Sequence, residues 1–275
     1  MNPIFVITVF VVFDDLTQAL LGKVKYNPKM TPAEIMTVAV VAARYFNNNL
    51  ERALLVMGET GYIPQQRCLS ISRFNRQLHQ YADVLDFCVE ALMAVAREGV
   101  AFIIDSLPVP VCKRKRAWRC RKVRGREYCG YCAAKDEKFF GWRLHLICTP
   151  EGIPVSFTML PAGFHDLTPL YEVTVELPEG AALFGDKGYN SAKDEQWLAK
   201  DGLRLIPIRK TNMTPHEWAD EYDLRRYRKG IETVNSQLES MGLQRLRART
   251  NAGFDIKVHA SLLALYHTQL IANEN

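Results

Sequence analysis

The sequence predicts an α/β protein in which an all-helical region, residues 1–98, precedes a mixed five-stranded sheet with flanking helices. Three observations carry this prediction. Apolar residues recur at helical spacing as far as Glu98, a short run with buried-strand composition follows at Val100–Ile104, and strand-like and helix-like segments then alternate to the end of the chain. A chain of 275 residues, 48% of them hydrophobic, is long enough for one or two domains with a buried core.

Composition and charge exclude several other classes of protein. The 16 glycines and 13 prolines are too few for a collagen-like or low-complexity chain, and the net charge of +5 by itself indicates no particular partner. Seven cysteines, an odd number spread from Cys68 to Cys148, do not resemble the framework of a disulfide-rich secreted protein. We therefore expect reduced thiols and a cytoplasmic protein.

The most apolar stretch, Ile4–Phe13, is expected to be a core helix or strand. It has 10 residues, whereas a membrane-spanning helix needs about 20 apolar residues. Asp14 and Asp15 follow it where a secretory signal would have small residues, and no Lys or Arg precedes it. We expect no interaction with a membrane.

Helix signals mark the rest of the first region. Thr31 as cap, Pro32 at the first helical position and Glu34 reaching back predict a helix to about Phe46, where Asn47–Asn49 break it. Further helices are expected over Leu50–Gly58, from Ser70 or Ser72, and over Val84–Glu98. The third of these four helices is expected to carry a polar set that is compatible with recognition of a DNA end and equally with the solvated face of a core-packing helix: Arg67, Arg73, Asn75, Arg76 and His79.

The second region, residues 99–275, is predicted to hold the sheet. A buried strand ends at Asp105, and a hairpin turns at Pro150–Gly152 between strands over Phe139–Cys148 and Ile153–Leu160. There follow a helix, a strand, a helix, a strand and two helices, at Leu167–Val175, Ala181–Gly185, Ser191–Asp201, Leu203–Ile208, Arg225–Met241 and Phe254–Ile271. This order of elements is that of an RNase H-like fold.

A strongly basic segment interrupts the predicted sheet within an insertion at residues 106–138. Between Lys113 and Arg126, nine of fourteen residues are basic and none is acidic. They are Lys113, Arg114, Lys115, Arg116, Arg119, Arg121, Lys122, Arg124 and Arg126. We expect a loop whose counter-ions are DNA phosphates, with a solvated loop as the alternative.

Three carboxylates are candidates for one site. Asp105 and Asp186 each end a predicted buried strand, and Glu232 lies in the helix after the fifth strand. Either aspartate by itself could instead simply begin a turn, because aspartate is common in turns. Three converging acids would repel one another and therefore imply bound divalent cations, for which hard oxygen ligands favour Mg²⁺ or Mn²⁺. Lys187, Arg228 and Lys229 are suited to holding phosphates near such a site, or simply to a solvated surface.

Two polar residues near these segments have less specific interpretations. Asp166, which follows His165 and precedes Thr168, is interpreted as a cap or turn residue, with support of the site as the alternative. His145 alternates with apolar neighbours on a predicted strand, and we interpret it as a surface or hydrogen-bonded histidine rather than a ligand.

Four segments of the second region carry a resemblance to a known family: Ile104–Cys112, Gly163–Asp166, Gly185–Tyr189 and Arg228–Thr233. They resemble the DDE transposases of bacterial insertion sequences, which belong to the RNase H-like (retroviral integrase) superfamily. The likeness extends to the first region at Val11–Leu16 and Ser72–Arg76, and so covers almost the whole chain. The aspartate of the Gly-Asp-Lys-Gly-Tyr segment is its most specific feature.

The resemblance implies an activity and its residues. The catalytic triad would be Asp105, Asp186 and Glu232, which would bind two Mg²⁺ or Mn²⁺ ions. The reaction would be cleavage of DNA at the ends of the insertion sequence, followed by strand transfer into target DNA. A homodimer on DNA is expected, because two ends must be held. Alternatives are a non-catalytic domesticated DNA-binding derivative and an RNase H-like nuclease without strand transfer.

The chain departs from one common signature of related transposases. That signature has a Tyr seven residues before the catalytic Glu, an Arg four before it and a Lys seven after it. Arg228 fits, but the outer positions hold Arg225 and Glu239. Glu239 therefore remains an alternative to Glu232 as the third ligand.

Four cysteines in or beside the basic insertion suggest a second metal site. Cys129 and Cys132, with Cys112 and Cys120 upstream, could supply four thiolates to a structural Zn²⁺. The spacing of the upstream pair is too long for a standard zinc knuckle, which favours free thiols.

Overall fold

The computed structural model describes residues 1–22 and 28–273. The helices are α1 (Pro3–Leu21), α2 (Pro32–Phe46), α3 (Leu50–Glu59), α4 (Ile71–Gln80), α5 (Ala82–Val95), α6 (Leu170–Thr174), α7 (Ala192–Lys200), α8 (Trp218–Ser240) and α9 (Asn251–Asn273). The strands are β1 (Ala101–Lys113), β2 (Cys129–Cys132), β3 (Glu137–Cys148), β4 (Pro154–Pro161), β5 (Ala182–Gly185) and β6 (Arg204–Pro207). The chain divides into a helical unit, Met1–Ala91 with Leu238–Asn275, and a sheet unit, Leu92–Gln237.

The predicted helix signals of the helical unit act as expected. Thr31 Oγ1 accepts a hydrogen bond from the Glu34 amide (3.2 Å), and Glu34 Oε2 accepts one from the Thr31 amide (2.7 Å). Asn47 and Asn48 end α2 in the left-handed region, with φ of 49° and 62°, which asparagine tolerates better than most residues. Because these signals are local, they can be identified in the sequence.

Helix α1 is longer than the predicted segment Ile4–Phe13. It has 19 residues and continues through the two aspartates to Leu21. Its buried residues are Phe5, Val6, Val9, Phe13 and Thr17. Within the described ranges it is the one helix long and apolar enough to cross a membrane, a test that the core helices of soluble proteins and signal sequences also pass.

Helix α9 belongs to the helical unit, whereas the sequence suggested a second region that runs unbroken from residue 99 to 275. Between Val258 and His267, all but His259 are buried, so α9 is covered on every side. Helices α1 and α2 pack against it, and the side chain of Asn48 donates hydrogen bonds to the Met241 carbonyl (2.8 Å) and Ser261 Oγ (2.9 Å). The roles assigned to the two regions remain predictions.

The sheet unit confirms the expected mixed sheet with flanking helices, with six strands instead of five. β3 pairs antiparallel with β1, and β5 and β6 run parallel to β1 in the order β3-β1-β5-β6. Both β2 and β4 pair with β3, at Glu137–Phe140 and Trp142–Cys148. The additional strand, β2, lies within the basic insertion, where we expected only a loop.

Strand β1 does not end at Asp105, and this prediction was wrong. It pairs with β5 only over Ala101–Ile104 but continues along β3 to Lys113. Beyond Ile104, no strand among the described residues pairs with the other edge of β1, and at such an edge Pro108 and Pro110, which lack amide hydrogens, are tolerated. The first part of the predicted insertion is therefore sheet, with one shift of register between Pro110 and Cys112.

Apolar side chains cover both faces of the sheet. On one face, Ile104 and Leu183 pack with Leu170 of α6 and Leu198 of α7. On the other, Phe184 and Ile206 pack with Leu224 of α8. The paired strand segments that lead to the candidate carboxylates are thus packed against apolar side chains on both faces of the sheet.

Candidate active site

Asp105 and Asp186 lie next to each other at the end of the parallel strand pair. The last paired residues of β1 and β5 are Ile104 and Gly185, and each aspartate is the next residue of its chain. The sheet therefore aligns the two carboxylates, as expected for side chains at the carboxyl ends of adjacent parallel strands.

Asp105 is half-buried and held by two hydrogen bonds. Its Oδ1 accepts from the amide of Ser106 (2.7 Å), and its Oδ2 accepts from Nδ2 of Asn235 on α8 (2.7 Å). Burial raises the pKa of this carboxyl to about 6, and the charges of Asp186 and Asp166 add to the rise while the two hydrogen bonds oppose it. The carboxylate is thus oriented but lacks full compensation for its charge.

Asp186 is held by the turn that follows it. Its Oδ1 accepts a hydrogen bond from the Gly188 amide (2.7 Å). Burial raises the pKa of Asp186, the hydrogen bond from Gly188 lowers it, and the charge of Asp166 raises it again. The charges of Arg143 and Arg228 also lower this pKa, so both guanidinium groups lie within electrostatic range.

Glu232 lies on the wall of the same cavity as the two aspartates. The cavity has a volume of about 430 Å³ and is lined by residues of β1, β5, the turn after β5, the segment after β6, and α8. Glu232 Oε1 accepts a hydrogen bond from Arg228 Nε (3.0 Å), one helical turn away, and 60% of the Glu232 side chain is exposed. The structure thus brings the three predicted carboxylates to one cavity, with Glu232 at its exposed side.

The alternative third ligand, Glu239, belongs to the helical unit. Its Oε1 accepts a hydrogen bond from Gln244 Nε2 (2.6 Å). A side chain of the segment after α8 therefore binds this carboxylate.

The three cations predicted near the site have different surroundings. Lys187 and Arg228 line the cavity, and both side chains are largely exposed there. Lys229 is exposed on α8 beside Arg228. Two of the three are thus positioned on the cavity wall itself.

The basic segment is largely exposed. Of its nine basic residues, eight are exposed and Lys122 is half-buried. Lys113 Nζ lies 3.8 Å from Glu137 Oε1, and Val123 is buried, which anchors the segment. Trp118 is 77% exposed, and the Arg119 guanidinium lies 4.3 Å from the centre of its ring. This surface therefore offers both positive charge and an aromatic face.

The polar residues predicted near α4 do not all lie on that helix. Arg67 precedes α4, and its Nη2 pairs with Glu34 Oε2 at 2.8 Å. Asn75 and His79 line a cavity of about 600 Å³ that also contains Arg247 and Arg249. A basic groove thus exists within the helical unit.

The cysteines do not form a zinc site in this structure. Cys112 and Cys120 are hydrogen-bonded to each other, whereas Cys129 and Cys132 are three residues apart on β2 and so point to opposite sheet faces. Within residues 1–22 and 28–273, no group of three or more His, Cys, Asp or Glu side chains is close enough to hold a metal ion. The carboxylates at the cavity are neighbours, but they are not arranged as a closed ligand shell.

Sequence reasoning missed or misinterpreted several residues around the carboxylates. Asn235 was missed, although it lies three residues after Glu232 on the same helix, a spacing that could have revealed it. Asp166 lies in the turn before α6, in agreement with one of its two interpretations, but it does not cap that helix, whose cap position is Pro169. His145 is fully buried, and neither ring nitrogen has a hydrogen-bond partner among the described residues, contrary to our interpretation.

Comparison with known proteins gives the following matches. The family model described as "Transposase DDE domain" matches residues 95–250. Among solved structures, the chain is similar to a piggyBac transposase, determined by cryo-EM in a synaptic complex with hairpin DNA. The TM-score is 0.47 and the sequence identity 11%, over 98% of this chain and 74% of that chain. No curated protein matches the chain significantly.

Proposed function

Because this chain belongs to the transposase DDE-domain family, we propose that it cuts DNA at the ends of a mobile element and joins those ends to target DNA. The observation that carries the proposal is that Asp105, Asp186 and Glu232, all within the matched residues, line one cavity. That the element is a bacterial insertion sequence remains a prediction from the sequence.

The donor chemistry of the site fits a divalent cation. Asp105 and Asp186 supply hard carboxylate oxygens, and burial without full compensation of charge favours a bound cation. Asp105, Asp186 and Glu232 would hold two Mg²⁺ or Mn²⁺ ions. When bound, such ions activate an attacking hydroxyl and stabilise the leaving oxygen of a phosphoryl transfer.

The chain's own residues orient the site and bind the DNA backbone. Asn235 fixes the rotamer of Asp105, and Gly188 fixes that of Asp186, by the hydrogen bonds described above. Lys187 and Arg228 hold phosphates at the cavity. No nucleophilic side chain is required, because water or a DNA 3′ hydroxyl can serve as the attacking group in a metal-dependent phosphoryl transfer.

The basic segment extends the DNA-binding surface. Asp105 and Lys113 are eight positions apart on β1, a length of roughly 25 Å at about 3.3 Å per residue. A duplex bound along this edge would meet the segment about seven base pairs from the cavity, at about 3.4 Å per base pair. We retain the homodimer on DNA, DNA-end recognition by residues 1–98 and the cytoplasmic location as further proposals.

A gel assay tests the proposed function. The purified chain is incubated with candidate inverted-repeat DNA and Mg²⁺, and the products are examined for cleavage and, with pre-cleaved ends, for joining to a target plasmid. Cleavage and joining are expected. Cleavage without joining would identify a nuclease, and binding without either reaction would identify a non-catalytic DNA-binding protein; each result contradicts the proposal.

A further inference from the structure

A carboxylate outside the predicted triad, that of Asp166, lies close to Asp186. A Cβ atom built on Gly188 would lie 2.9 Å from Asp186 Oδ1 and 3.0 Å from Asp166 Oδ2. These two oxygens, from the turns after β5 and β4, are therefore no more than about 6 Å apart. Two oxygens bound to one Mg²⁺ at about 2.1 Å lie about 3 to 4 Å apart, so a small side-chain adjustment would bring both onto one ion.

Buried polar groups around Asp166 lack partners. Asp166 Oδ1 is buried, and none of the described residues donates a hydrogen bond to it. The nearest cationic atom, Arg143 Nη1, is 3.8 Å away and donates instead to Ser106 Oγ (3.1 Å). The Asp166 carboxyl group is thus partly enclosed, and its buried oxygen has no hydrogen-bond donor among the described residues.

Two fully buried side chains lie within electrostatic range of the same carboxylate. Neither the Tyr189 hydroxyl nor the ring nitrogens of His145 are hydrogen-bonded within the part of the chain that the structure describes. The charges of Asp166, Asp105 and Asp186 all raise the pKa of Tyr189, and that of Asp166 opposes the lowering of the His145 pKa by burial. Such unpaired buried groups are expected where a hydrated ion supplies the missing partners.

We infer that Asp166 is a further metal-binding carboxylate, which joins Asp105 and Asp186 around a divalent cation on the inner side of the site once the side chains close the separation that the metal-free arrangement leaves between them. The inference deepens the proposed function and rests on it. Arg143 acts as a positioning residue, because its contacts with Ser106 and Asp166 link β1 to the turn that carries Asp166. Water ligands of the ion would donate to Asp166 Oδ1, and Glu232 remains the ligand on the exposed side.

Binding of Mn²⁺ to the full chain without DNA, followed by electron paramagnetic resonance, is the first test. Asp166→Asn keeps the shape and removes the charge, so its Mn²⁺ dissociation constant should rise about tenfold or more, as for Asp186→Asn. Asp166→Glu keeps an oxygen ligand and should bind more tightly than Asp166→Asn. The control Asp201→Asn, an exposed carboxylate at the end of α7, should bind as the unmodified chain does.

Gly188→Ala tests the same geometry without removing a charge. The φ of Gly188 is not in the left-handed region, so alanine is acceptable to the backbone, but its methyl group would press between the two carboxylates. Mn²⁺ binding should weaken by a similar factor. Unchanged affinity in both Asp166→Asn and Gly188→Ala would overturn the inference.

Cleavage of the unmodified chain by bound Fe²⁺ with peroxide and ascorbate provides a test that depends on no variant. Cuts are expected beside Asp105, Asp166 and Asp186, and excess Mg²⁺ should suppress them. Cuts near the other two aspartates with none at residues 165–167 would refute a role for Asp166 while leaving the proposed function intact. Conversely, metal binding through Asp166 without DNA cleavage would refute the proposed function alone.

Discussion

Asp105 combines burial with hydrogen bonds that keep its carboxylate in one orientation. The Ser106 amide and the Asn235 side chain each donate at 2.7 Å, while burial and the charges of Asp186 and Asp166 raise its pKa to about 6. A carboxyl group that is held in one orientation, and whose ionised form is disfavoured by its surroundings, is a common feature of catalytic sites. The residues of this site are thus organised for ligand binding rather than for stability.

Neutral substitutions test the triad. Asp105→Asn, Asp186→Asn and Glu232→Gln should each lower the rates of DNA cleavage and joining by about a thousandfold or more, because a ligand charge is lost and the shape is kept. Thermal stability and DNA affinity should change little, and Asp201→Asn serves as the control. If Glu232→Gln remains active while Glu239→Gln is inactive, the third ligand is Glu239.

His267 should make the protein less stable in mild acid. Burial lowers its pKa from 6.5 to about 4, so the unfolded chain binds this proton more readily. The stability it contributes is present above about pH 6.5 and is lost as the pH falls towards 4. Between pH 7 and pH 5 this one group should reduce the free energy of unfolding by about 2 kcal/mol.

The variant His267→Phe isolates that effect. Phenylalanine retains the edge-on ring contact with Phe5 and has no titratable group. Urea unfolding at pH 7 and pH 5 should show a smaller loss of stability in the variant than in the unmodified chain. An equal loss in both proteins would contradict the prediction.

At the scale of elements, α8 and β1 carry most of the residues on which the proposed function depends. α8 presents Arg228, Glu232 and Asn235 at spacings of four and three residues, which places them on one side of the helix. β1 begins beside β5 at the carboxylates and ends in the basic segment. One strand thus connects the proposed reaction site with the proposed contact to the DNA backbone.

The salt dependence of DNA binding tests the basic segment. Replacement of Arg114, Lys115, Arg116 and Arg121 by Gln should flatten the slope of log affinity against log salt by about two to four units, because each phosphate contact contributes about 0.9. Binding to all sequences should weaken alike, since phosphate contacts carry no base information. The controls Lys193→Gln and Lys200→Gln change exposed charges on α7. An unchanged slope in the fourfold variant would show that the segment does not contact DNA.

At the scale of the whole molecule, the chain comprises two units, and the helical one is formed by both ends of the sequence. α9 lies in that unit with apolar residues around most of its circumference. Its stability therefore comes from tertiary packing more than from helix propensity. The buried side chains of α9 should accordingly contribute to stability rather than to catalysis.

A pair of leucine variants tests this separation. Leu262→Ala removes a fully buried side chain of α9 and should lower the free energy of unfolding by about 2 to 5 kcal/mol. Leu55→Ala, on α3 with 51% of its surface exposed, is the matched control and should cost much less. Urea unfolding measures both. A similar loss in the two variants would show that α9 is not packed as described.

The sequence by itself determined the type and order of most elements and the two aspartates at adjacent strand ends, because caps, turns and apolar patterns are local signals. The tertiary structure decided where β1 ends, since only pairing with β3 carries it past Pro108 and Pro110. It also decided that α9 packs with α1 and α2, and that Asn235 contacts Asp105 across 130 residues of chain. These features depend on contacts between distant segments, which no local pattern encodes.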